Sequence, residues 1–503
     1  MVVPKICGIE TEYGIIVRGA EGTNPVSASS TLVNAYVESL ARSDAPSQPP
    51  PVRWDFEDES PGNDARGHVT RATYAPEVET HLVNAVLVNG SRYYVDHAHP
   101  ELATPECRTA LDVLRYDLAG EQILIESMAQ ARGWLAPDLE IVVYKNNSDG
   151  KGQSYGCHEN YLLDRSLPFG QLVTAATAHF VSRAIYCGAG KVGAESPGGR
   201  ADDECFQITQ RADFFEEPVG LETTLRRPIV NTRDEPHADA TRFRRLHVII
   251  GDANMSEIAT LLKVGTTALW FAAVEAGRAD RTFTFADPVA AFRAVSRDLS
   301  LAVPLQLDDG STITALDLQW ELLRMCTEHA ELDGLDAVGA DVGDEVLQRW
   351  EYVLNTLEAD PMRLADQVDW IAKYRLVSAY RDRHHLPWGD ARLRAMDLQY
   401  HDLRPERSLA RRIGLATRID PADVAAAVRR PPADTRAWFR GECLRRFADQ
   451  IVSANWDSLV FDTGAKSLQR VPMMDPSKGT RDQVGALLDG CADSAELVAA
   501  LRA

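Results

Sequence analysis

The dipeptide Asn89-Gly90 constrains the fold of this chain more than any other pair of residues. Asparagine and glycine tolerate the left-handed backbone of tight hairpin turns, so Asn-Gly between two β-rich runs predicts antiparallel strands joined by a two-residue turn. Leu82–Val88 precedes the turn and Arg92–Asp96 follows it. Side chains in a strand alternate between faces, so Arg92, Tyr94 and Asp96 project together. That face carries a cation, a phenol and a carboxylate where a half-buried strand would show aliphatic groups. His97, His99, Glu101 and Glu106 follow at once. So dense a polar cluster is costly to bury unless it binds something charged.

Other segments supply partners of the same kind. Lys5–Val17 alternates as a strand with Glu10 and Glu12 on one face, framed by Gly8 and Gly14. Paired carboxylates repel unless a cation joins them, and carboxylate oxygens are natural ligands for hard divalent ions. Gly152–Leu163 reads as a strand with His158 and Asn160 on one face and Glu159 on the other. Cys205–Arg211 reads as a third polar strand. Leu246–Gly251 forms another, carrying His247, and leads into a helix capped by Ser256. Residues 225–245 hold six arginines (Arg226, Arg227, Arg233, Arg242, Arg244 and Arg245) against three acids. Guanidinium groups suit bidentate contacts with phosphate and carboxylate. A concave antiparallel sheet lined in this way can hold Mg²⁺ ions that bridge a nucleotide's phosphates. Beside them a carboxylate such as Asp96 can attack an acyl carbon or take a proton from water.

With 503 residues the chain is too long for one simple core. Pro431-Pro432 divides it into a large region, 1–432, and a small C-terminal domain, 433–503. In the first region, helices are expected at Thr31–Leu40 (capped by Ser30), Thr109–Arg132 and Leu167–Tyr186, a strand at Asp138–Tyr144, and mainly helix from Ser256 to Arg430. In the second, a helix at Asp434–Ser453 precedes strands at Leu459–Phe461 and Ser467–Val471 and two short helices. The fold class expected is α+β, a curved, mainly antiparallel sheet packed by helices. Proline-rich Ala41–Pro76 reads as part of a long mobile insertion, about 41–80, in which Trp54 and Phe56 are fit for transient docking. A net charge of −21 argues against nucleic acid as the main partner. Eight cysteines without a CxxC pair suggest reduced thiols in a cytoplasm. Neither a leader sequence nor a membrane span is expected. There is no P-loop and no Rossmann glycine signature, so any nucleotide needs another kind of site.

Several long motifs carry a resemblance: Gly8-Ile-Glu-Thr-Glu-Tyr-Gly14, Arg92-Tyr-Tyr-Val-Asp-His-Ala-His-Pro-Glu101, Tyr155-Gly-Cys-His-Glu-Asn-Tyr161, Asn231-Thr-Arg-Asp-Glu-Pro-His-Ala-Asp239, His247-Val-Ile-Ile-Gly-Asp-Ala-Asn254 and Asn455-Trp-Asp-Ser458. Together they resemble the actinobacterial Pup ligase/depupylase family, whose fold is similar to the carboxylate–amine ligases that include glutamine synthetase. The resemblance implies a sheet that cradles ATP and Mg²⁺. It also implies action on the modifier Pup and on pupylated proteins. One branch hydrolyses the terminal glutamine of Pup and the Pup–lysine isopeptide bond, with ATP bound but not spent stoichiometrically. The other branch ligates Pup to lysines. The 41–80 insertion resembles a loop of the hydrolase branch, and the Asp96–Glu101 spacing is also that branch's. Carried over, Glu10, Tyr94, Glu101, His158 and His247 are metal ligands and Asp96 is the catalytic carboxylate. Arg92, Thr104 and Trp456 touch the nucleotide, and Gly8, Glu12, Glu106 and Asn160 are placed beside it. Arg211, Arg227, Arg233 and Arg245 remain candidates for phosphate or substrate. His97 and His99 receive no role.

Overall fold

Cys7–Glu12 (β1) alternates buried and half-buried residues, as a strand with one face on the core and one on a cleft must. The computed structural model describes residues 2–19, 22–42, 50–57, 59–67, 83–195 and 205–502. Around β1 it builds an antiparallel sheet from Val52–Arg53 (β2), Asn84–Val86 (β3), Arg92–Asp96 (β4), His99–Ala103 (β5), Cys157–Asp164 (β6) and Phe243–Val248 (β7). The seven strands run in the order β7-β6-β1-β5-β4-β3-β2. Helices Pro25–Ala41, Ala110–Ala131 and Glu257–Glu275 belong to the main hydrophobic core. Glu159 points into that core, opposite in parity to its neighbours His158 and Asn160. It is fully buried in a bidentate pair with Arg183, at 2.6 and 2.8 Å. Glu257–Glu275 is long and apolar enough to cross a membrane, but 94% of its apolar window is buried inside the protein.

The hairpin forms, with a different turn. Leu87 N–H donates to the Ser91 carbonyl and Gly90 N–H donates to the Leu87 carbonyl, each at 2.8 Å, which makes a three-residue loop. Only Gly90 is left-handed there, at φ +85°. Asn89 is fully buried and bonds elsewhere, through Nδ2 to the Ala427 carbonyl at 2.9 Å. Lys5–Val17 is two strands rather than one. After Tyr13 the chain leaves the sheet, and Gly14–Arg18 pairs with Glu140–Tyr144. A Cβ at Gly14 would lie 2.5 Å from both Asn146 Oδ1 and Tyr155 OH, so only glycine passes that corner. The expected polar strand Cys205–Arg211 shortens to Phe206–Gln207, because Arg211 turns away into a buried site. The first helix begins at Pro25 with Asn24 as its cap, earlier than Thr31.

The insertion is the largest correction. Residues 43–49, 58 and 68–82 lie outside the described residues, but 50–57 and 59–67 are packed in place. β2 pairs with β3, extending the sheet. Trp54 is 2% exposed, and it bridges to Ala454 of the C-terminal region. Its docking is therefore built in rather than transient. Ala65 N–H bonds the Thr232 carbonyl at 2.8 Å, and Asp234 N–H bonds the Asn63 carbonyl at 2.8 Å. In the C-terminal region the helix ends at Phe447, and Ile451–Ala454 is a strand instead. It joins Ser458–Phe461 and Gln469–Pro472 in a three-stranded sheet. The hydrophobic cluster there includes Val52, Trp54 and Val86 together with Phe439, Leu444 and Leu459, so it spans the 432/433 boundary.

Candidate active site

Strand register lines up the polar side chains in rows. Glu10 stands opposite His158 on one side and Ala103 on the other, and Ala103 opposite Arg92. Two residues along, Glu12 faces Glu101 and Glu101 faces Tyr94. On the far edge His247 faces Asn160, which faces Gly8. Two candidate cation sets result. Glu10, His158 and His247 bring ligand atoms within 4.8 Å of one another, and so do Glu12, Asp96 and Glu101.

In the first set, His158 Nδ1 and His247 Nδ1 each lie 3.5 Å from Glu10 Oε1. Burial alone would raise the Glu10 carboxyl. The His158 hydrogen bond, with His247 and the Arg245 charge nearby, outweighs it and holds Glu10 well below the usual range. Burial and the Arg245 charge press His247 well below an ordinary histidine, which leaves a neutral imidazole fit for ligation. Asn160 Oδ1 lies 3.0 Å from His247 Nδ1 and accepts from Arg245 Nη1 at 3.0 Å.

The second set is a carboxylate cluster. Burial, then the charges of Asp96, Glu12 and Glu10, push the Glu101 carboxyl well above the usual range. Tyr94 donates its hydroxyl to Glu101 Oε1 at 2.6 Å, and burial with the Glu101 charge keeps that phenol protonated. Tyr94 is therefore a neutral hydroxyl that orients Glu101. Asp96 sits at the accessible end, where His97 Nδ1 lies 2.9 Å from Oδ2. Burial alone would raise the Asp96 carboxyl, but the hydrogen bond and charge of His97 outweigh it and lower it. His97 is left-handed, at φ +51°, a strained position for a residue with a side chain. His99 Nδ1 lies 3.6 Å from Glu12 Oε2, and its ring rests on Tyr155. Both histidines thus border the cluster, which sequence parity alone did not reveal.

A cavity of about 610 Å³, open mouth included, adjoins the first set; Gly8, Glu10, Thr104, Glu106, Asn160, His237, Arg245, Arg436 and Trp456 are among its lining residues. Thr104 Oγ1 accepts the Ile9 N–H at 3.0 Å, and Gly8 packs against it. Glu106 is held by Arg436 at 2.6 Å and by Arg440. Arg92 lies between two rings, 3.9 Å from Trp54 and 4.0 Å from Tyr94, with its Nε on Asn84 Oδ1 at 2.9 Å. Trp54 in turn meets Trp456 edge-on at 5.3 Å. Arg233 has a buried Nε without a partner, as has Arg245. Arg211 and Arg227 lie apart from this cavity, by Ser154.

A mainly antiparallel sheet packed by helices is the fold of the glutamine synthetase-like enzymes. The family model for the Pup-ligase protein matches residues 5–460, and the chain belongs to that family. It is 50% identical to a depupylase of Acidothermus cellulolyticus, over 99% of each chain. It is 44% identical to a Pup deamidase/depupylase of Mycobacterium tuberculosis, again over 99% of each. Among solved structures, it is similar to the ligase PafA in complex with Pup, with a TM-score of 0.79 and 30% identity over 97% of this chain and 92% of that one. PafA in complex with ADP matches at a TM-score of 0.72 and 33% identity, over 81% and 89%.

Proposed function

We propose that this chain is an ATP- and Mg²⁺-dependent hydrolase that deamidates the C-terminal glutamine of Pup and cleaves the Pup–lysine isopeptide bond. Relatives named for those activities match it end to end at 43–50% identity, whereas the ligase structures match at 30–33%. The eight free cysteines support a reducing, cytoplasmic setting.

The donor set fits the metal. Four carboxylates (Glu10, Glu12, Asp96 and Glu101) crowd one sheet face, and Glu101 is held ionised only with difficulty until divalent charge joins it. Glu10, His158 and His247 would hold one ion and Glu101 with Glu12 another, Tyr94 orienting Glu101. Thr104, Gly8 and Trp456 would line the adenosine, with Glu106 and Asn160 fixing the walls of its cavity. Arg92, Arg233 and Arg245 would meet phosphates. Mg²⁺ held there would supply positive charge near the reacting carbonyl.

The single observation that carries the reaction is Asp96, an accessible carboxylate beside the Glu12–Glu101 pair and held by His97. Both reactions break a bond from the same γ-carbonyl carbon to nitrogen, so one carboxylate serves both. Asp96 either attacks that carbon, giving an anhydride that water then cleaves to free Asp96 and the new carboxylate, or takes a proton from water as it attacks. In both routes ammonia or the lysine amine leaves with a proton drawn from water. An electrophilic glutamine analogue at the Pup terminus separates the two routes, since only a nucleophilic Asp96 is captured. The primary test is incubation of the chain with glutamine-ended Pup and ATP. A gain of about one dalton on Pup (amide to acid) without matching ADP is expected. Conjugation of Pup to lysine with one ADP per event would establish the ligase reading instead.

A further inference from the structure

Arg211 and Arg227 converge on one residue. Arg211 Nε donates to Ser154 Oγ at 3.3 Å, and Arg227 Nη2 donates to the Ser154 carbonyl at 2.8 Å. Their other bonds also go to carbonyls: Arg211 Nη1 to Ile249, and Arg227 Nε to Thr223 at 2.8 Å. Among the described residues neither guanidinium makes an ion pair with a carboxylate. Arg211 is nevertheless only 1% exposed. Burial first, and the Arg227 charge second, bring it down to about 10. Buried guanidinium groups are normally paired with an acid. Buried Arg211 and half-buried Arg227 thus stand side by side with only carbonyl and hydroxyl partners among the described residues.

The loop holding them also holds the catalytic end of the cleft. Gly156 N–H donates to Glu12 Oε1 at 2.9 Å, and the Tyr155 ring lies 4.3 Å from that of His99. Glu12 is the acid whose charge acts most on both arginines. The cavity beside Gly8, Arg245 and Trp456 is lined by neither Arg211 nor Arg227. Adenosine therefore has its own chamber at the Glu10 end, and the arginine pair flanks the Glu12–Asp96–Glu101 end.

We propose that Arg211 and Arg227 bind the α-carboxylate of the substrate's C-terminal residue, so that its side-chain carbonyl lies against Asp96. This deepens the hydrolase reading and rests on it. A planar carboxylate matches the guanidinium fork, and a terminal glutamine or isopeptide-linked glutamate presents one a short aliphatic spacer away from the scissile bond. An internal glutamine has a peptide group there instead, so the pair selects the chain end.

The test uses Pup ending in glutamine with either a free α-carboxylate or an α-carboxamide, acting on the full chain and on Arg227→Ala and Arg227→Lys. Arg227 is half-buried, which makes it safer to replace than Arg211. The unmodified enzyme should favour the acid by about tenfold to a hundredfold in kcat/KM. Arg227→Ala should lose activity on the acid but little on the amide, collapsing the preference, and Arg227→Lys should restore part of it. The Kd for ATP should stay the same in all three. No preference in the unmodified enzyme, an unchanged preference in Arg227→Ala, or a loss of ATP affinity matching the loss of activity would overturn the assignment. Calorimetric binding of glutamate-ended Pup, acid against α-amide, separates the two readings. An affinity preference without hydrolysis would keep the carboxylate site and remove the hydrolase.

Discussion

Glu12 and Glu101 are cross-strand partners on adjacent antiparallel strands, and Asp96 brings a third carboxylate within 4.8 Å of both. Like charges directly opposite each other destabilise a sheet, and burial sharpens the effect. A divalent cation held between them would relieve that repulsion.

Mg²⁺ should therefore raise the Tm of the protein, and chelation should lower it. Glu101→Gln keeps the shape and removes one charge. Without metal it should be as stable as the parent or more so, by about 1 kcal/mol, while most of the Mg²⁺-induced rise disappears. An equal Mg²⁺ response in both proteins would refute the assignment of the cluster as a metal site.

Asp96→Asn should cut hydrolysis of Pup by about 10³-fold or more, with ATP and Pup still bound. Single-turnover assays beside calorimetry provide the comparison. Normal turnover would displace Asp96 from its role. His97→Ala should leave substrate affinity intact, lower kcat and move the acid limb of the pH–rate profile upward, because His97 now helps hold Asp96 ionised.

Glu106 titrates at about 2, since the charges of Arg440 and Arg436 overcome the opposing effect of burial. A carboxyl depressed on folding contributes stability above its ordinary pKa and loses it as pH falls. The loss should run from about pH 4.5 down toward 2. Glu106→Gln leaves two buried guanidinium groups uncompensated and should cost about 3 kcal/mol at neutral pH. It should also flatten that acid limb. Tm measured from pH 3 to 7 in both proteins checks the sign.

Trp54→Ala should cost about 3 to 5 kcal/mol and weaken ATP binding, because the ring supports both Arg92 and Trp456. Deleting 50–67 should be worse still, since it removes a sheet strand. If that deletion left Tm unchanged, the packing described for Trp54 would be wrong.

The site was legible in sequence where it depends on strand parity. Spacing of two put Glu10 with Glu12, His158 with Asn160, and Arg92 with Tyr94 and Asp96 on common faces, and burial of Glu159 on the opposite face obeys the same rule. Resemblance then suggested roles that composition could not. Contacts between segments distant in sequence were illegible. Nothing in Arg53-Trp-Asp-Phe56 announces that Trp54 completes a hydrophobic cluster around the helix of residues 436–447. Proline content spoke for a loose segment, and tertiary burial of one indole overrode it. The turn at Asn89-Gly90 differs in a smaller way: only Gly90 is left-handed, while Asn89 accepts the Ser91 N–H within the loop and also reaches the Ala427 carbonyl.

Arg440 grips Glu106 of the sheet region with one arm and the Trp456 carbonyl with another, 3.1 Å away. The cavity wall at Glu106 and the contact that ties the C-terminal region to the sheet region are consequently one piece of hardware. Thermodynamic reciprocity then requires that any ligand favouring the closed wall also hold the two regions together, and by the same factor. A ligand of that cavity should therefore slow limited proteolysis near residue 432.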